Sequence, residues 1–199
     1  MDIDAVVTNL CRRRFLAKRF DSNTELKRSL LEIIGSQSVG ISGSASVNEL
    51  GVFEALTANG NNVLSHNHAK DKEQTRLAAL SADVYLCSAN AITEQGVILN
   101  IDGTGNRVAG TIFGPKTVII IAGINKIVPD VERGILRTRQ ICCPQNAKRH
   151  GFATPCAIID ECANCVTPDR MCNVFVLLEY PTRHVDKFYV FLSCEELGW

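Results

Sequence analysis

Four cysteines, Cys156, Cys162, Cys165 and Cys172, share the stretch 156–172 in the spacing Cys-x5-Cys-x2-Cys-x6-Cys. A Cys-x2-Cys pair lets two thiolates reach one tetrahedral ion from a single turn. Four thiolates also suit an iron–sulfur cluster. The spacing matches neither a zinc ribbon nor the bacterial ferredoxin run. Pro155 and Pro168 flank a segment with few apolar residues to order it, and a bound ion would supply that order. The expectation is one metal centre, zinc or an iron–sulfur cluster, held by these four residues. Thiol redox or disulfide chemistry and burial as small apolar side chains stay open. The adjacent Cys142 and Cys143 could replace one ligand, while Cys11, Cys87 and Cys194 are scattered.

A second set of reactive groups follows short apolar runs. Ser42-Gly43-Ser44-Ala45-Ser46, His66-Asn67-His68, Ser88-Ala89-Asn90-Ala91-Ile92-Thr93-Glu94 and Gly123-Ile124-Asn125-Lys126 each come after a predicted strand. In a parallel sheet such segments converge on one edge, where α/β folds bind ligands. Gly43 and Ser44 precede a predicted helix, whose free amides attract an anion; an ordinary N-cap has the same residues. Lys126 and Arg107 supply positive charge there, or are solvated surface cations. Glu94 is the candidate general acid or base and Lys126 its catalytic partner. A solvated turn carboxylate is the other reading of Glu94. His66 and His68 form an i, i+2 pair that could bind metal or simply belong to a loop. Gly103-Thr104-Gly105 reads as a turn between two strands, so it is not a dinucleotide fingerprint, which must open a helix. There is no P-loop and no Gly-x-Ser-x-Gly elbow.

The elements that position these groups alternate. A helix is expected within 2–20, with Val6, Leu10 and Ala17 on one face, and another from the capping box Ser22-Asn23-Thr24-Glu25. Strands are predicted at 37–41, 62–65, 83–87 and 117–122, the last a continuous Val/Ile run typical of a buried central strand. Helices are predicted at 47–59, 71–81 and 130–142. The apolar runs 97–101 and 107–113 flank Asp102-Gly103-Thr104-Gly105-Asn106, which suggests a β-hairpin. Strands at 173–179 and 187–193 end the pattern, and the hairpin and this pair suggest antiparallel edges. The result is a mainly parallel α/β sheet covered on both faces.

Composition excludes several classes. Lys and Arg number 21 and Asp and Glu 21, so net charge points to neither nucleic acid nor a membrane surface. The start Met1-Asp2-Ile3-Asp4 is acidic where a signal peptide is basic. No apolar run is long enough to span a bilayer. A cytoplasmic protein is expected, in which nine cysteines are not a disulfide framework.

The central block resembles the LUD (lactate-utilisation) domain family. The resemblance is carried by Ala82-Asp83-Val84-Tyr85-Leu86, Ser88 to Glu94 with Gly96, Asn100 to Ala109, Phe113-Gly114-Pro115-Lys116 and Gly123 to Val128, with Gly43-Ser44 before a helix. It covers roughly 10–155. It implies a three-layer α/β/α fold like that of ribose-5-phosphate isomerase, glucosamine-6-phosphate deaminase and CoA transferases. The length of 199 residues suggests one domain, with N-terminal helices over 1–35 and a cysteine-rich segment at 154–172 before two C-terminal strands. The convergence of strand ends with a helix N-terminus predicts a small anionic metabolite bound near Gly43, Ser44, Asn90, Thr93, Gly105, Asn106, Arg107 and Asn125. Some members take part in lactate oxidation, which would add redox partner subunits. Longer members carry a ferredoxin-like tail with two Cys-x2-Cys-x2-Cys-x3-Cys runs; this sequence has none and has its own cysteine cluster instead. Three functions compete: a protein of lactate or hydroxy-acid oxidation, an isomerase-, hydrolase- or transferase-like enzyme on a small phosphate or carboxylate, and a non-catalytic metal-binding subunit.

Overall fold

The computed structural model describes residues 2–199; Met1 lies outside them. In chain order come α1 (Ile3–Arg12), β1 (Leu16–Phe20), α2 (Asn23–Ile34), β2 (Val39–Ile41), α3 (Ala45–Glu49), α4 (Val52–Ala58) and β3 (Val63–Ser65). Next are α5 (Lys72–Ala79), β4 (Val84–Ser88), β5 (Ala91–Thr93), β6 (Ile98–Asp102), α6 (Asn106–Phe113) and β7 (Thr117–Gly123). A 3-10 turn at Ile124–Lys126 leads to β8 (Ile127–Val128), α7 (Val131–Arg137), a π-helical turn at Thr138–Cys142 and α8 (Cys143–His150). Then follow α9 (Pro155–Ile159), β9 (Val174–Leu178) and β10 (Lys187–Ser193).

The main sheet has six strands in the order β1-β10-β7-β4-β2-β3, all neighbours parallel. Alternate side chains enter opposite cores, as the two-residue period of a strand requires. On one face Tyr85, Cys87, Val118, Ile120, Val190 and Leu192 pack with Val6 and Leu10 of α1. On the other, Val84, Leu86, Ile119, Ile121 and Phe191 meet Leu26 and Leu30 of α2 and Val52 and Leu56 of α4. This is a three-layer α/β/α fold. A smaller sheet, β8-β5-β6-β9, sends Ile92 and Ile98 into the first core. Its opposite face carries Ala91, Leu99 and Val128 against Val131 and Ile135 of α7.

Several expectations are corrected. The first helix stops at Arg12, and Arg14 takes a left-handed φ of 67°. The charged stretch after it is β1, an edge strand on β10, and edges tolerate charge because one side meets water. The hairpin is absent: 107–113 lies in α6. Gly105 turns the chain with φ 90°, and the Asp102 carboxylate accepts the amides of Arg107 and Val108 at 3.0 and 3.1 Å. That cap overrides the β-branched residues that mimic a strand. The Gly103-Thr104-Gly105 turn therefore does open a helix. The predicted helix 47–59 is split at Gly51, with φ 58°. The two C-terminal strands do not pair together. β9 lies antiparallel on β6, and β10 runs parallel between β1 and β7.

Candidate functional site

Because the six main strands run parallel, their carboxyl ends share one edge. A cavity of about 370 Å³ opens there, within the usual range for small-molecule sites. The Ser42–Ser46 loop after β2, His66 after β3, and Ser88, Ala89 and Asn90 after β4 line it. Asp102, Gly103, Thr104, Asn106 and Arg107 contribute from the start of α6, and Lys126 from the 3-10 turn. α6 can lie this close because residue 110 is glycine. A Cβ there would fall 2.3 Å from the Tyr85 ring, whose hydroxyl donates to Asn106 O at 3.0 Å.

The wall is strongly cationic. Arg76, Arg107, Lys126, Arg149 and Arg170 line it, and among the described residues Asp102 is the one acidic side chain there. That carboxylate is already committed to capping α6. Lys126 is 4% exposed and donates to Ser46 Oγ at 2.7 Å, Ser88 Oγ at 3.1 Å and Ala89 O at 3.3 Å. No carboxylate is among these partners. Burial brings Lys126 down to about 8; the Cys142 thiol opposes the shift and Arg137 and Arg107 add to it. His66 is brought down to about 4, first by burial, then by Arg76, His150, Lys72 and Arg149. His150 is lowered too, by burial and then by Arg149. Two buried polar atoms on the wall, Ser42 Oγ and Arg76 Nε, have no hydrogen-bond partner among the described residues. Such groups are costly unless something completes them.

A polar scaffold holds these groups. Arg107 donates to Asn90 Oδ1 at 2.9 Å and to Ile101 O. Arg137 donates to Asn90 O at 2.6 Å, Asn125 O at 3.1 Å and Cys142 Sγ at 3.0 Å. It does so at the start of the π-helical turn, a local distortion frequent at functional sites. Arg149 donates to Gly43 O at 2.9 Å and to Asn146 Oδ1 at 2.7 Å, with its guanidinium 5.2 Å from the Trp199 ring centre.

Of the residues singled out in the sequence, Gly43, Ser44, Asn90, Asn106, Arg107 and Lys126 meet on the cavity. Ser44 caps α3, but α3 has only five residues, too few for a substantial dipole. Gly105 is off the wall and acts as the α6 turn. Asn125 is also off it and binds the segment Leu197–Gly198 through both ends of its amide. Thr93 accepts the Val97 amide at 3.0 Å in a tight turn. Glu94 and Lys126 are not partners. β5 and β8 align Ile92 with Ile127, so Glu94 stands three residues beyond the partner of Lys126, roughly 10 Å along the strand. Its amide and carbonyl bind Val128 and Asn9, away from the cavity. His66 and His68 separate: His68 bonds Ser65 Oγ at 3.2 Å and stacks on Phe53 at 3.7 Å.

The cysteines group differently from their spacing. Burial raises the Cys143 thiol, and the thiols of Cys172, Cys142, Cys162 and Cys156 add to the rise. Cys165 is not among those neighbours and contacts Thr167 Oγ1 at 3.7 Å. Cys156 contacts Thr154 Oγ1 at 3.3 Å. Among the described residues, no three or more His, Cys, Asp or Glu are placed to hold a metal ion. The four thiols of 156–172 are not brought together as one such group. Sequence reasoning also missed Arg76, Arg149, Arg170 and Asp102. The arginines sit on helices or loops whose aim depends on packing, whereas Asp102 could have been found as a strand-end carboxylate before a glycine turn.

Fold and cavity together define an α/β/α protein with a cation-lined cavity at the strand carboxyl ends. A LUD-domain family profile matches residues 3–192, and the chain belongs to the LUD-domain family. Among solved structures it is similar to a DUF162 family protein from Deinococcus radiodurans. The two are 15% identical over 96% of this chain and 95% of that one, with a TM-score of 0.58, a likeness of fold. No curated protein matches the sequence. No helix among the described residues is long and apolar enough to cross a membrane.

Proposed function

We propose that the chain binds a small metabolite carrying a carboxylate or phosphate at this edge, in the service of oxidising lactate or a similar hydroxy acid. The observation that carries the reading is the cationic wall, five Lys or Arg side chains against one acidic side chain, whose Oδ2 caps α6. In a confined, partly desolvated site such an excess favours an anion. The unpartnered Ser42 Oγ and Arg76 Nε offer a hydroxyl and a charged donor to that anion. The hydroxy-acid role rests on the LUD-domain family. Thermal shift and calorimetry with lactate, pyruvate, inorganic phosphate and a sugar phosphate test the proposal. Binding stabilises the fold by RT ln(1 + [L]/Kd) and so raises the melting temperature, and Arg76→Gln and Arg149→Gln should each reduce that rise. No response to any of these anions rejects the reading.

A further inference from the structure

Three side chains on the cavity wall form a closed hydrogen-bonded triangle. Lys126 Nζ is 2.7 Å from Ser46 Oγ and 3.1 Å from Ser88 Oγ, and the two hydroxyls are 3.2 Å apart. The three are 4%, 0% and 2% exposed. Ser46 is covered by the backbone of Leu197 and Gly198: its hydroxyl donates to Leu197 O at 3.2 Å, and a Cβ on Gly198 would lie 2.5 Å from its Oγ. Ser88 ends the central strand β4 and lines the cavity.

An anion-binding lysine needs no pair of serines around it, and a structural one would gain more from a carboxylate. What this setting provides is an amine whose neutral form is accessible near neutral pH, in contact with the hydroxyl of a serine that lines the cavity. The charged and titratable groups around the amine are Cys142, Arg137, Arg107 and Glu49. A base within hydrogen-bond reach of a serine is the requirement for nucleophilic catalysis, and lysine fills that role in serine–lysine enzymes.

We propose that Ser88 is an acyl-accepting nucleophile with Lys126 as its general base, acting on an ester or thioester that carries a carboxylate or phosphate. The anionic part of this substrate rests on the anion-binding reading above; the chemistry at Ser88 does not. Neutral Lys126 takes the Ser88 hydroxyl proton as Oγ bonds to the acyl carbon, and the carbonyl oxygen becomes an alkoxide. Collapse re-forms the carbonyl and breaks the acyl–sulfur or acyl–oxygen bond. The leaving thiolate or alkoxide takes the proton from Lys126. Water then adds to the acyl-serine by the same path, releasing the acid and restoring the Ser88 hydroxyl.

A fluorophosphonate probe, which carries no carboxylate, tests Ser88 independently of anion binding. Peptide mass spectrometry should find one phosphonyl group, on Ser88, and Ser88→Ala should abolish it. Lys126→Arg keeps the charge but cannot supply a free base, so labelling should slow by about 100-fold or more. Melting curves establish that each variant is folded. In the wild type, the labelling rate should climb with pH and level off above the Lys126 titration near 8. That profile decides the role of Lys126 even if its variant does not fold. No label, a label on another residue, full-rate labelling of folded Lys126→Arg, or a rate flat with pH overturns the proposal.

Discussion

Asn90 and Arg107 are joined side chain to side chain, an Arg107 Nη donating to Asn90 Oδ1 at 2.9 Å. The same oxygen accepts the Ile101 amide at 2.9 Å, and the Asn90 amide donates to Asn100 Oδ1 at 3.1 Å. One asparagine thus ties β6, α6 and the end of β4 at the cavity. Asn90→Ala leaves the Ile101 amide without this acceptor, which costs about 1–3 kcal/mol. The expected fall in Tm is roughly 2–4 °C per kcal/mol for a chain of this size. Anion affinity should fall as well, because Arg107 loses its anchor. An unchanged melting curve would show that the bond contributes nothing.

Gly110 and Tyr85 set the position of α6. Gly110→Ala places a methyl within the space of the Tyr85 ring, and overpacking of this kind costs about 1–3 kcal/mol. Tyr85→Phe removes only the bond to Asn106 O and should cost about 1 kcal/mol. Urea unfolding of both variants checks the order, with the glycine change the more damaging.

The histidines make anion binding depend on pH. The folded His66 titrates at about 4 against an ordinary 6.5. Between those values the unfolded chain holds a proton there and the folded chain does not, so stability falls as pH drops through that window. A bound anion opposes the field of Arg76 and Arg149 and raises His66 and His150. Binding in that window should therefore take up protons, and affinity should rise as pH falls toward 4. Calorimetry in two buffers of different ionisation heat measures the uptake; proton release would contradict the arrangement.

Thiol reactivity should not follow the sequence spacing. Cys11 is exposed, while Cys87 and Cys143 are buried. Burial pushes Cys87 up to about 12 and raises Cys143 as well. Only the thiolate reacts, so iodoacetamide at neutral pH should modify Cys11 well before either of them. Timed alkylation with peptide mass spectrometry reads the order directly.

The site was legible where it depends on strand ends. Runs such as 83–87 and 117–122 announce buried strands, and parallel strands bring Gly43, Asn90 and Lys126 to one edge. Groups whose aim depends on packing were not legible. Val108, Thr111 and Ile112 look like a strand, and only the Asp102 cap and the Gly105 turn make them helical. Glu94 follows a strand of its own, β5, which belongs to the second sheet and carries it away from the cavity. The Cys-x2-Cys pair suggested shared ligation, yet α8 brings Cys143, far from that pair in sequence, toward the other thiols.

The place of β10 has a consequence for how the chain reaches its native state. Leu16 of β1 pairs with Tyr189, and β10 in turn pairs with β7. On a ribosome, β1 therefore waits until residues 189–193 have been made before it can join the sheet. Until then β7, with Val118 to Ala122 fully buried in the finished fold, presents an open apolar edge, the kind that recruits foreign strands. Contacts this distant in sequence also slow folding, because loop closure precedes their reward. Nascent chains stalled before residue 187 should accordingly engage chaperones and aggregate when released, whereas chains that include β10 should close the sheet and escape.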